Sequence, residues 1–167
     1  MDATLTPAAR AASGDGHDQE AGLYLDVHNP ADGTVIGQVP VSTQADVDAA
    51  AEAARKALPG WSGLPIKERV QVFFRYRNLL EQHIDELAAL VTRENGKVPD
   101  EARAEVLKAI ELCEFAVSMP QITPGEVLEV SRGVECRVER HPVGVVASIT
   151  PFNFPNMVPN WTIPNAL

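Results

Sequence analysis

At 167 residues the chain has the length of one ordinary domain, and its 45% hydrophobic content is enough for a packed core. It carries 14 basic and 23 acidic residues, a formal net charge of -9. With no Lys/Arg cluster, that balance argues against nucleic acid and against anionic membrane surfaces as partners.

The chain opens on 1–22, a stretch rich in Ala, Gly, Asp and Thr without periodicity, which reads as a disordered tail. Leu23 to Val41 is expected to form a hairpin, with Asn29-Pro30-Ala31-Asp32-Gly33 as the turn. Thr43, with Asp46 three residues on, caps a helix whose stripe is Val47, Ala50, Ala51, Ala54 and Leu58, and Pro59-Gly60 is expected to end it. From Ile66 the apolar positions Val70, Phe73, Leu80 and Ile84 keep helical spacing. Leu87, Ala88 and Val91 continue the same helix, and Gly96 fits the left-handed position after its end. Pro99 fits a helix start with Asp100 and Glu101 at the positive end of the dipole. Ala102, Val106, Ile110, Cys113 and Val117 make that helix's buried face, and it stops before Pro120.

The pattern then changes. Val127 to Val130 and Val134 to Arg140, joined at Arg132-Gly133, read as a half-buried ribbon with Val134, Cys136 and Val138 on one side. His141-Pro142 breaks it. Val143 to Ile149 is small and β-branched and reads as a fully buried parallel strand, which needs a crossover and a neighbour.

That strand feeds Thr150-Pro151-Phe152-Asn153-Phe154-Pro155, placing one Asn between two aromatics at a strand's carboxyl end, where ligands bind in open α/β sheets. The Asn153 carboxamide is a donor that stays neutral, and in a water-poor setting it suits an oxyanion that forms only in the transition state. On spacing alone, a turn Asn bonding its own backbone is the favoured reading. Thr150, Pro151 and Phe152 offer carbonyls and a flat ring against which a nucleotide could pack; no Gly-x-Gly-x-x-Gly accompanies them. Cys113 and Cys136 sit in no CxxC, have no His at ligand spacing and lie beside no base, so both read as structural and no metal site is expected. Two such cysteines make no disulfide framework, which points to a reducing cytoplasm. Glu94-Asn95-Gly96-Lys97 reads as a helix end with a charged exit. No run approaches the roughly 18 apolar residues of a membrane span.

Taken together, Pro142-Val143-Gly144-Val145-Val146, the Ile149 to Pro155 turn, Pro159-Asn160-Trp161 and Pro164-Asn165-Ala166-Leu167 resemble the aldehyde dehydrogenase superfamily. Glu94 to Lys97 followed by Ala102 to Val106, and Asn29 to Gly33 with the helix opening at Thr43, match its upstream part. The resemblance covers about Leu23 to Leu167. Phe152, where many members have Trp, together with Met157-Val158-Pro159, is similar to the CoA-acylating methylmalonate-semialdehyde branch.

The resemblance implies an α/β fold: the N-terminal part of an aldehyde dehydrogenase, with an incomplete Rossmann-type nucleotide-binding domain and an oligomerisation ribbon. The parts would be a tail over 1–22, a hairpin and helices over 23–124, the ribbon over 125–141, and a first nucleotide-domain strand, cofactor turn and helix start over 142–167. Asn153 would be the oxyanion-hole residue, Thr150 and Phe152 would contact NAD, and CoA would be the acyl acceptor. The partners implied are a small aldehyde and further copies of the chain, in a dimer or tetramer. The nucleophilic Cys would lie downstream of Leu167, so these 167 residues alone are expected neither to oxidise aldehydes nor to bind NAD tightly. A hydrolytic member acting on another aldehyde, and a non-catalytic helical interaction module, remain the alternatives.

Overall fold

The structure, a computed structural model, describes residues 23–166. The expected tail over 1–22 lies outside the described residues, as does Leu167.

β1 (Tyr24–His28) and β2 (Val35–Pro40) form the expected antiparallel hairpin, with a register shift at Val27/His28. Its turn is held by side chains that imitate backbone turns. Asn29 Oδ1 accepts from Ala31 N–H at 2.9 Å, and Asp32 Oδ1 accepts from Thr34 N–H at 2.9 Å. Gly33 supplies the left-handed residue, φ 75°.

Helix α1 (Gln44–Ser62) begins at Thr43 in a capping box: Asp46 Oδ2 accepts from Thr43 N–H at 2.6 Å, and Thr43 Oγ1 accepts from Asp46 N–H at 3.4 Å. The helix does not end at Pro59-Gly60. Pro59 lacks an N–H but keeps its carbonyl, which accepts from Gly63 N–H at 3.1 Å and carries the helix one more turn. The stripe expected on α1 buries nothing among the described residues.

The core sits in three helices. α2 (Ile66–Gln82), α3 (Ile84–Asn95) and α4 (Pro99–Val117) bring Leu80, Ile84, Ala88, Val91, Ala102, Val106, Ile110 and Cys113 into one cluster, with Tyr76 and Leu87 against it. α2 and α3 are two helices, where the spacing predicts one. At His83 the backbone leaves helical geometry (φ -111°, ψ 20°), yet Leu80, Ile84 and Ala88 stay on one side because the interruption is a single residue. Val117 is only partly buried, while Glu105, Ala109 and Ala116 join α4's buried face. Arg77 on α2 donates from Nη2 to Glu114 Oε1 on α4 at 2.8 Å and also pairs with Glu81; solvent screens such pairs, so they contribute little to stability.

Gly96 ends α3 with φ 79°, as expected, and donates its N–H to Thr92 O at 2.9 Å. A Cβ there would also lie 3.0 Å from Pro30 Cγ, so this glycine lets the hairpin turn approach the helix end. Gly96→Ala is expected to lower stability by about 1–2 kcal/mol, because it combines left-handed strain with that contact. Chemical denaturation reads this directly, and an unchanged midpoint would remove the hairpin–helix contact from the account.

After a short helix α5 (Met119–Ile122), β3 (Glu126–Ser131) and β4 (Val134–Val138) form the second antiparallel ribbon. It is not half-buried. All its residues are exposed, Cys136 included, because nothing among the described residues covers either face. The fully buried strand expected over Val143 to Ile149 is also absent. That segment pairs with no strand among the described residues, and Ile149 is 100% exposed. A parallel strand is made by its neighbours, and here none is beside it. The chain closes through α6 (Pro159–Thr162) and a 3₁₀ turn (Pro164–Ala166), both packed on α4. No described helix is long and apolar enough to cross a membrane.

Candidate functional site

The turn from Thr150 to Met157 is seated on the α3–α4 pair by four side chains. Asn95, the last residue of α3, donates its Nδ2–H to Phe152 O at 3.1 Å. Lys97 places Nζ 3.7 Å from the centre of the Phe154 ring, a cation–π contact. Glu105, buried on α4 at 4% exposure, accepts at Oε1 from the N–H groups of Asn156 (2.8 Å) and Met157 (3.2 Å), while Oε2 pairs with Lys97. Asn160, 2% exposed, donates Nδ2–H to Asn156 O at 2.8 Å, and its Oδ1 accepts from Cys113 Sγ at 3.6 Å.

The three residues singled out from the sequence lie together at the outer edge of this seat. Thr150 is partly buried, while Phe152 and Asn153 are exposed, Phe152 at 89%. The water-poor setting expected for Asn153 is therefore not formed by these residues. Among the described residues the Asn153 carboxamide makes no hydrogen bond; the side chains that bond the turn are Asn95, Glu105 and Asn160.

Cys113 is fully buried. Burial, with Glu114 nearby, pushes its thiol up to about 11, so it stays protonated at neutral pH. Among the described residues no group of three or more His, Cys, Asp or Glu could hold a metal ion.

The sequence reading missed Glu105, Lys97, Asn95 and Asn160 as parts of the site. A signal for Glu105 was present: it lies three residues after Ala102 and four before Ala109, inside α4's apolar stripe. A charge at such a position needs a partner.

A sequence model described as the aldehyde dehydrogenase family matches residues 17–167. The chain belongs to the aldehyde dehydrogenase family. Among its curated relatives, malonate-semialdehyde dehydrogenase 1 of Geobacillus kaustophilus is 46% identical over 144 residues, covering 86% of this chain and 30% of that protein. The crystal structure of methylmalonate-semialdehyde dehydrogenase from Oceanimonas doudoroffii matches with TM-score 0.84 and 40% identity, over 87% of this chain and 30% of that one. That of PnpE in complex with nicotinamide adenine dinucleotide matches with TM-score 0.82 and 34% identity, over 88% and 30%. The chain thus spans about 30% of the length of these relatives and has the fold of the N-terminal part of an aldehyde dehydrogenase, as its turn and helices suggested.

Proposed function

We propose that this chain supplies the cofactor and oxyanion turn of an NAD-dependent, CoA-acylating aldehyde dehydrogenase acting on the semialdehyde of malonate or methylmalonate. The observation that carries the reading is the seated turn, with Asn153 exposed at its edge and its carboxamide uncommitted among the described residues. The names of the relatives support the substrate class, and the NAD complex of a structural neighbour supports the cofactor.

NAD would lie against Thr150 to Phe152, a reading supported by the flat ring that stands in solvent beside backbone that pairs with no described strand. When bound it accepts the hydride. Asn153 donates to the oxygen that becomes negative as a thiolate adds to the aldehyde, holding charge without moving a proton. The thiolate and the walls that exclude water from Asn153 come from parts of the enzyme outside these 167 residues. CoA thiol then takes the acyl group.

The remaining segments follow the same reading. The hairpin and helices of the cofactor domain are 23–124, and the first nucleotide-domain segment with the cofactor turn and helix start is 142–167. The ribbon, 125–141, joins copies of the enzyme into a dimer or tetramer. On one of its faces Leu128 pairs with Cys136 beside Val138, all exposed and apolar enough to seat a second copy. Two unpaired cysteines, one of them exposed, suit a cytoplasmic enzyme.

The full-length protein carrying this segment is expected to form NADH from methylmalonate semialdehyde and NAD only when CoA is present, with propionyl-CoA as product and loss of the carboxylate. Turnover without CoA would replace the acylating reading by the hydrolytic one. No aldehyde-dependent NADH formation would overturn the function.

A further inference from the structure

We infer that Glu105 is a positioning residue for Asn153: a buried carboxylate, neutralised by Lys97, that fixes the register of the turn through two backbone N–H groups. The inference rests on the proposed role of Asn153. Glu105 Oε1 receives the N–H groups of Asn156 and Met157, three and four residues beyond Asn153, and bonds from one oxygen to two successive amides orient the chain at that point. Oε2 is taken by Lys97, whose ammonium also lies over the ring of Phe154, next to Asn153. The other end of the turn is held at Phe152 O by Asn95. Asn153 thus lies between two fixed points, and both belong to the segments that flank Gly96.

The burial sharpens the argument. The Glu105 side chain is 1% exposed, so water cannot replace a lost partner, whereas Asn153 itself is exposed and owes its direction to its neighbours. Val106, Ala109 and Ile110 beside Glu105 are packed in the core, so the carboxylate is mounted on a rigid element, as a positioning group has to be. Glu105 touches no reacting atom in this arrangement; it acts only through the turn.

The test is amide hydrogen exchange and steady-state kinetics on the full-length enzyme, with Glu105→Gln, Asn153→Ala and the double variant. In the wild type, the Asn156 and Met157 amides should be protected relative to the exposed Asn153 amide, and free exchange there would overturn the inference even if no variant folds. In Glu105→Gln those two amides should exchange about tenfold faster or more, with Ala109 and Ile110 unchanged. An equal rise at all four would mean a general loss of stability and would also overturn it. Kinetically, Glu105→Gln should lower kcat more than it raises KM, and should cost nothing further in the Asn153→Ala background, because the effect runs through that side chain. Multiplying losses would show that Glu105 acts elsewhere. If Asn153→Ala leaves the rate intact, the proposed oxyanion role fails, and the exchange data still report separately on the anchor.

Discussion

Asn153→Ala in the full-length enzyme is expected to lower kcat by about 10²–10³-fold with little change in KM for the aldehyde. The magnitude is that of removing one donor from an oxyanion hole. The division between kcat and KM follows from when the bond matters. A carbonyl oxygen in the ground state accepts weakly, and the charge that Asn153 would meet develops only as the nucleophile adds. Asp at this position should be worse than Ala, since it sets a negative charge against the forming one. The exposed setting of Asn153 in this chain adds a condition. A donor in open water competes with solvent, so the full effect requires the rest of the enzyme to close over the turn. A loss below about tenfold, measured at saturating NAD and CoA, would leave Asn153 as a turn residue and remove the central role from the proposed function.

What could be read from the sequence was local. Thr43 with Asp46, Gly96 and Pro99 each act within one turn of the chain, and each stands in the structure as its chemistry requires. The interruption at His83 was invisible because Leu80 to Ala88 keep their side of the helix across it. Pro59 misled because the sequence shows the missing N–H but not the carbonyl that carries α1 on to Ser62. Val143 to Ile149 has the composition of a buried strand, but burial and pairing are properties of neighbours, and composition records only readiness for them. The site divided in the same way. Asn153, Thr150 and Phe152 stood out as a short motif. Glu105, about fifty residues earlier, could be joined to that motif only by the packing of α4 beneath the turn. The family resemblance reached the turn's proposed role without revealing what holds the turn in place.

Lys97→Met should be strongly destabilising, at about 3 kcal/mol in denaturant unfolding at neutral pH. Among the described residues, the ammonium is the only cation paired with a carboxylate that is 1% exposed. Removing one partner of a buried pair leaves the other charge where water cannot reach it, which costs more than the pair's net worth. Two features hold the loss to the low end of the usual range: the two N–H donors on Oε1 remain, and Lys97 itself is 16% exposed. The contact with the Phe154 ring is lost as well, for about 0.5–1 kcal/mol. Lys97→Arg, which keeps the charge and can still reach the carboxylate, should cost far less. The decisive comparison is Lys97→Met with Glu105→Gln in one chain. Without the carboxylate there is no buried charge to leave unpaired, so the double variant should be more stable than Lys97→Met alone, a coupling of at least about 1 kcal/mol. It should still fall short of the wild type, because a neutral amide oxygen holds the Asn156 and Met157 amides more weakly than a carboxylate does. Additive losses would mean that Lys97 and Glu105 do not form a functional pair in solution, and the turn would then owe its seat to Asn95 and Asn160.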